Sequence, residues 1–225
     1  MATDLHHETR GEFQLERLIL FSDAVFAIAI TLLALEIKVP DLPRDRITET
    51  ALLHALAHLI PKFVGFLFSF LLVGFYWTIH HRMFGFVVAY TPKLTWLNLG
   101  FLLSIVLMPF STGLYGEYST PGSMGLKTPL IVYNANICFT GIMNYWLWSY
   151  VAHPEKKLAV FPDRAFVQFA KTRALIVPLI FCLSIPTAFL DPYVARHVPV
   201  LIPVVMRLLR LYFARREGRP VRAAA

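Results

Sequence analysis

Asp23 lies inside an apolar run, directly after Phe21-Ser22 and ahead of Ala-Val-Phe-Ala-Ile-Ala-Ile-Thr31. In a membrane helix an ionisable residue is costly, faces protein or water, and is functional by default. Ser22 stands beside it, and the segments Trp77-Thr-Ile-His80-His81 and Trp96-Leu-Asn98 supply polar groups that could meet it. Three chemistries suit this set: hydrogen bonds that tie helices together, proton transfer or pH sensing by histidines that titrate near neutrality, and metal binding. Metal binding is the weakest, because no cysteine or aspartate completes a ligand set beside the paired histidines and no CxxC spacing occurs. His80 and His81 read better as interfacial residues that hold a helix bundle together. No Ser, Thr or Cys is spaced with a paired base, so no catalytic residue is expected and the chain does not read as an enzyme.

The elements that must position these residues are membrane helices. Of the 225 residues, 57% are hydrophobic and only 16% charged, against roughly 25% charged in a soluble domain. About 20 apolar residues cross the hydrocarbon as a helix. Six stretches qualify, at about 18–39, 52–78, 94–115, 130–151, 166–190 and 198–213, the last short and holding Pro199 and Pro203. With the N-terminus inside, the inner segments hold fifteen Lys and Arg residues and the outer segments five, with Lys62 near the outer end of the second span. That bias predicts six transmembrane helices with both termini cytoplasmic. It also explains the formal charge of +7 without nucleic acid as a partner. The chain reads as one domain, 1–225, with a short cytoplasmic N-terminus (1–16) and a basic cytoplasmic tail (about 214–225) suited to anionic lipid. Its mixed-charge start does not read as a signal peptide. Cys138 and Cys182 lie in apolar blocks, so no structural disulfide is expected.

On a wheel of about 100° per residue, Arg17, Phe21, Ala24, Ile28, Thr31 and Leu35 fall within about 40° of one line, with Leu32 beside it. Ser22 and Asp23 fall on the other side with Phe26, Ile30, Leu33 and Ile37. The second helix runs back down and the third starts up from the same side. Trp77, His80, His81 and Asn98 therefore share a depth with Ser22 and Asp23. If the polar side turns into its own subunit, the opposite stripe faces either lipid or the symmetry axis of an oligomer. The wheel leaves both open.

The string Arg17-x-x-x-Phe21-Ser22-Asp23, with the Ala-Val-Phe-Ala-Ile-Ala-Ile-Thr-Leu-Leu-Ala-Leu-Glu-Ile that follows, resembles the bacterial relatives of transmembrane protein 175, the lysosomal potassium channel. Trp77-x-x-His80-His81 and the stretch from Trp96-Leu-Asn98 to Met108-Pro109-Phe110 look like the same family. The likeness covers about 15–115 and fades to topology alone over the last three helices. It implies an all-α integral membrane protein in the cytoplasmic (inner) membrane. Six-helix subunits would form a homotetramer whose first helices surround a central, potassium-permeable pore. The Thr-Val-Gly-Tyr-Gly filter of other potassium channels is absent from the family and from this chain. Carried onto these positions, the family's narrow apolar ring matches Ile28, Leu32 and Leu35, and its threonine layer matches Thr31. A ring of Ile or Leu closes a pore by dewetting while nearby hydroxyls give partial hydration, and Ile28 is the expected main constriction. Arg17, Ser22, Asp23, Trp77, His80, His81 and Asn98 are then a structural network packing the first helix on the second and third. The implied partners are other copies of the chain and the bilayer, with permeant potassium ions and no cofactor.

Glu36, at the outer end of the first helix, suits a carboxylate ring at the pore mouth that concentrates cations, or an ion pair with Lys38 or a neighbouring subunit. Asn134, Asn136 and Asn144 suit hydrogen bonds between helices. The alternative function is a proton-coupled secondary transporter, or a proton leak, with Asp23 and the histidines as relay. No inverted repeat and no matched pair of broken helices supports it.

Overall fold

Backbone polar groups cannot be left open to lipid, so a membrane chain closes its hydrogen bonds within helices. The computed structural model describes residues 2–120 and 122–217. Its helices are α1 (Ala2–Leu35), α2 (Glu49–His58), α3 (Ile60–Phe84), α4 (Pro92–Val106), α5 (Met108–Glu117), α6 (Thr128–Val151), α7 (Arg164–Leu190), α8 (Pro192–His197) and α9 (Leu201–Glu217). The basic tail expected over about 214–225 lies, beyond Glu217, outside the described residues.

Prolines decide where the apolar stretches break. The second stretch divides at Leu59 into α2 and α3, because Pro61 has no N–H to give and its ring clashes with the carbonyl four residues back. Pro109 divides the third in the same way, leaving α4 and α5 to meet at Leu107. Pro178 and Pro186 leave α7 continuous over 27 residues. Polar side chains close several helix starts: Thr48 accepts from Ala51 N–H at 3.1 Å, Thr91 from Leu94 N–H at 3.2 Å, and Asp163 from Phe166 N–H at 2.7 Å. α1 begins at Ala2 rather than near residue 18. Its early residues include Glu12, Gln14, Leu15, Glu16 and Arg17, good helix formers whose polarity hides them from a hydropathy reading.

Among the described residues five segments are long and apolar enough to cross a membrane: Arg10–Leu35, Ile60–Phe84, Pro92–Glu117, Arg164–Leu190 and Pro192–Ala214. The remaining stretch coincides with α6, 24 residues long, whose three asparagines lower its hydropathy and are all buried. α1 packs on α3, α4 and α5; α6 packs on α4, α5 and above all α7; α7 carries α8 and α9. Gly141 of α6 lets the ring of Pro178 approach so closely that a Cβ would overlap it. At one end, Val88 N–H donates to Leu158 O at 2.8 Å and Val160 N–H to Phe86 O at 2.9 Å, so the α3–α4 and α6–α7 loops are joined by an antiparallel bridge. Large apolar side chains such as Leu71, Leu103, Phe110, Leu179 and Leu183 remain exposed around the bundle, a surface for lipid or for other subunits rather than for water.

Candidate pore helix and its polar anchor

Ser22, Asn98 and His80 form one directed chain between three helices. His80 Nε2 lies 2.8 Å from Asn98 Oδ1, an acceptor, so Nε2 carries the proton and donates. Asn98 Nδ2 donates to Ser22 Oγ at 2.8 Å, and Ser22 Oγ donates to Leu18 O at 2.7 Å. All three side chains are buried. The His80 ring is stacked between Phe84 and Phe101, with centroids 4.3 and 5.6 Å away, and Phe26 of α1 lies 5.5 Å off. The anchor is thus both a hydrogen-bond chain and an aromatic cluster.

Asp23 belongs to a second, more open pair. Trp77 Nε1 donates to Asp23 Oδ1 at 2.9 Å, and His81 stacks on the Trp77 ring at 5.5 Å. The structure therefore divides the polar residues, sending Ser22, His80 and Asn98 inward and leaving Asp23, Trp77 and His81 at the rim. Arg17 joins neither group. It is exposed, with its guanidinium 5.7 Å from the Phe13 ring centroid.

The rest of α1 separates into two faces. Phe26, Ala29 and Leu33 are 1%, 1% and 0% exposed, whereas Ile28, Leu32 and Leu35 are 58%, 38% and 72% exposed. Thr31 is on the exposed face, and its hydroxyl donates to Ile28 O at 2.8 Å. With that proton engaged, Oγ1 presents lone pairs outward. Glu36 turns back, and its carboxylate lies against Gly113 of α5 so closely that a Cβ on Gly113 would overlap it.

A further polar layer contains Asn134 and Asn136, which the sequence marked for bonds between helices, and hydroxyl groups that sequence reasoning missed. Thr112 Oγ1 donates to Ser69 Oγ at 2.8 Å, Ser69 is 2.9 Å from Tyr133 OH, and Asn136 Nδ2 donates to Ser111 Oγ at 3.2 Å. Asn134 Nδ2 donates to Ser184 Oγ at 2.8 Å. Single Ser and Thr residues in apolar runs carry no signal, since each satisfies itself on a backbone carbonyl as readily as on a neighbour. Among the described residues no group of three His, Cys, Asp or Glu side chains could hold a metal.

The family described as endosomal/lysosomal potassium channel TMEM175 matches residues 17–109, the part that holds the anchor and the exposed stripe. A potassium channel of Chamaesiphon minutus is 31% identical over 88% of this chain and 92% of its own length. The endosomal/lysosomal proton channel TMEM175 of Gallus gallus is 28% identical over 88% of this chain but only 41% of its own length. The crystal structure of a lysosomal potassium-selective channel TMEM175 homologue from Chamaesiphon minutus aligns with a TM-score of 0.70 at 29% identity, covering 90% of this chain and 97% of that one. On helices, anchor and likeness together, the chain belongs to the TMEM175 family of ion channels.

Proposed function

We propose that four copies of this chain form a potassium-permeable channel in the cytoplasmic membrane, with α1 around the axis and Ile28, Thr31, Leu32 and Leu35 along the ion path. The observation that carries this reading is the division of α1. One face is tied down by Ser22, Asn98, His80 and Trp77, while the other is apolar and uncovered by its own chain. Each subunit crosses six times in this reading, with α6 as the span whose asparagines face protein. Both termini lie on the cytoplasmic side, as the Lys and Arg bias favours.

Conduction would follow from wetting rather than from a carbonyl cage. Four copies of Ile28, with Leu32 and Leu35, make an apolar constriction that empties of water when narrow. Thr31 oxygens next to that ring replace part of a cation's hydration shell, and their engaged protons leave only acceptors to face the ion. A cation that sheds water cheaply is favoured, which selects potassium over sodium. Glu36 at the mouth would concentrate cations in the outer vestibule.

The second reading, proton movement through Asp23 and the histidines, draws support from the name of the Gallus gallus relative. Against it, the chain from His80 through Asn98 to Ser22 ends on the backbone carbonyl of Leu18, which cannot hand a proton on. The test is the reversal potential of purified protein in a planar bilayer, under a potassium gradient and then with sodium on one side. Reversal near the potassium equilibrium value supports the channel; current that follows only a proton gradient overturns it.

A further inference from the structure

α6 and α7 meet along one antiparallel seam, and three contacts mark its rungs. Asn134 Nδ2 donates to Ser184 Oγ at 2.8 Å, Cys182 Sγ–H donates to Cys138 Sγ at 2.7 Å, and the Pro178 ring fills the place of a Cβ on Gly141. Residue numbers rise along one helix as they fall along the other, so the register of the whole seam brings the cysteines face to face. Cys138 Sγ–H in turn donates to Pro178 O at 3.3 Å, at the point where Gly141 lets the helices close. These are the only two cysteines of the chain, and both thiols are free.

Their surroundings differ. Cys138 is 6% exposed and meets its partner before any outside reagent. Cys182 is exposed on α7, next to the exposed Leu183 and one turn from the exposed Leu179. A face of that kind admits an oxidant that dissolves in lipid. The sulfurs of a disulfide stand about 2.05 Å apart, so bond formation closes the present gap by only about 0.7 Å.

We infer that Cys138 and Cys182 are an oxidation site that closes to a disulfide between α6 and α7. Two S–H bonds break and one S–S bond forms. The electron pair and both protons pass to dioxygen, an apolar oxidant, which leaves as hydrogen peroxide. The link lies within one subunit and ties α7, with the α8 and α9 that it carries, to α6. Exchange with a small thiol reverses it. The site does not depend on where the ion path runs, since neither cysteine lies on α1.

Air oxidation of the detergent-purified protein with copper phenanthroline tests it, quenched with EDTA and N-ethylmaleimide before denaturation and intact-mass spectrometry. The chain is expected to lose two hydrogens, to take up no maleimide and to run as a monomer on a non-reducing denaturing gel. Dithiothreitol before alkylation should restore both maleimide additions. Cys182→Ser changes an exposed position and keeps the fold; it should lose no hydrogens and take up one maleimide once denatured. Because the fold holds the thiols together, the native protein should oxidise about tenfold faster or more than protein unfolded in dodecyl sulfate. The inference is overturned if both thiols still alkylate after oxidation, or if the oxidised chain runs as a disulfide-linked dimer. It is equally overturned if Cys182 gains oxygen while Cys138 stays free, or if the unfolded protein oxidises as fast as the native one.

Discussion

Asn98 of α4 donates its amide N–H to Ser22 Oγ of α1 across 2.8 Å, inside a site closed to solvent and lipid alike. Its amide oxygen is taken by His80 of α3, so one side chain fastens three helices. Asn98→Leu keeps the volume and strands both partners. Leaving a buried polar group unpaired costs about 1–3 kcal/mol, and the variant should unfold at a lower temperature in detergent. Unchanged melting would show that the chain of hydrogen bonds is not what holds α1 in place.

Ile28 is exposed on the face of α1 turned away from this anchor. If that face surrounds the pore, Ile28→Asn puts amides into the apolar ring and holds water there. Single-channel current should rise severalfold with the oligomer intact. Equal current in wild type and variant would move the constriction elsewhere.

Trp77 asks of Asp23 only an acceptor for its N–H, at 2.9 Å. Asp23→Asn preserves an acceptor oxygen while removing the titratable carboxylate, so in the proposed channel assembly and potassium current should persist. Asp23→Leu removes the acceptor and should lower stability by roughly 0.6–2 kcal/mol. Loss of all flux in Asp23→Asn, with the oligomer intact, would instead speak for a proton relay.

The carboxylate of Glu36 occupies the space a side chain on Gly113 would need. Gly113→Ala should therefore displace Glu36 and destabilise the protein by about 1–3 kcal/mol. Glu36→Ala on the same background should restore most of the loss. A thermal double-mutant cycle checks this, and additive effects would rule out the contact.

What could be read in the chain follows from what has a period. The two faces of α1 are legible because burial recurs every 3.6 residues and Ser22, Phe26 and Leu33 share a side. The all-helical architecture is legible because apolar blocks of this length have no other form in lipid. The partner of each polar residue is not. Trp77, His80 and His81 are neighbours in sequence, yet helix phase sends His80 to Asn98 and Trp77 to Asp23. The start of α1 at Ala2 escapes a hydropathy reading because the first turns are polar.

The short bridge from Phe86–Val88 to Leu158–Val160 fastens two hairpins by their backbones, and Asn98 fastens α1 at the same end. With that end fastened, a tilt of α1 would turn about Ser22. A tilt of about 5° around Ser22 carries Leu35, roughly 20 Å further along the helix axis, sideways by roughly 1.7 Å. Ile28, roughly 9 Å from the pivot, moves by roughly 0.8 Å. The contact of Glu36 with Gly113 closes the far end, so what shifts it has the longest arm over the helix.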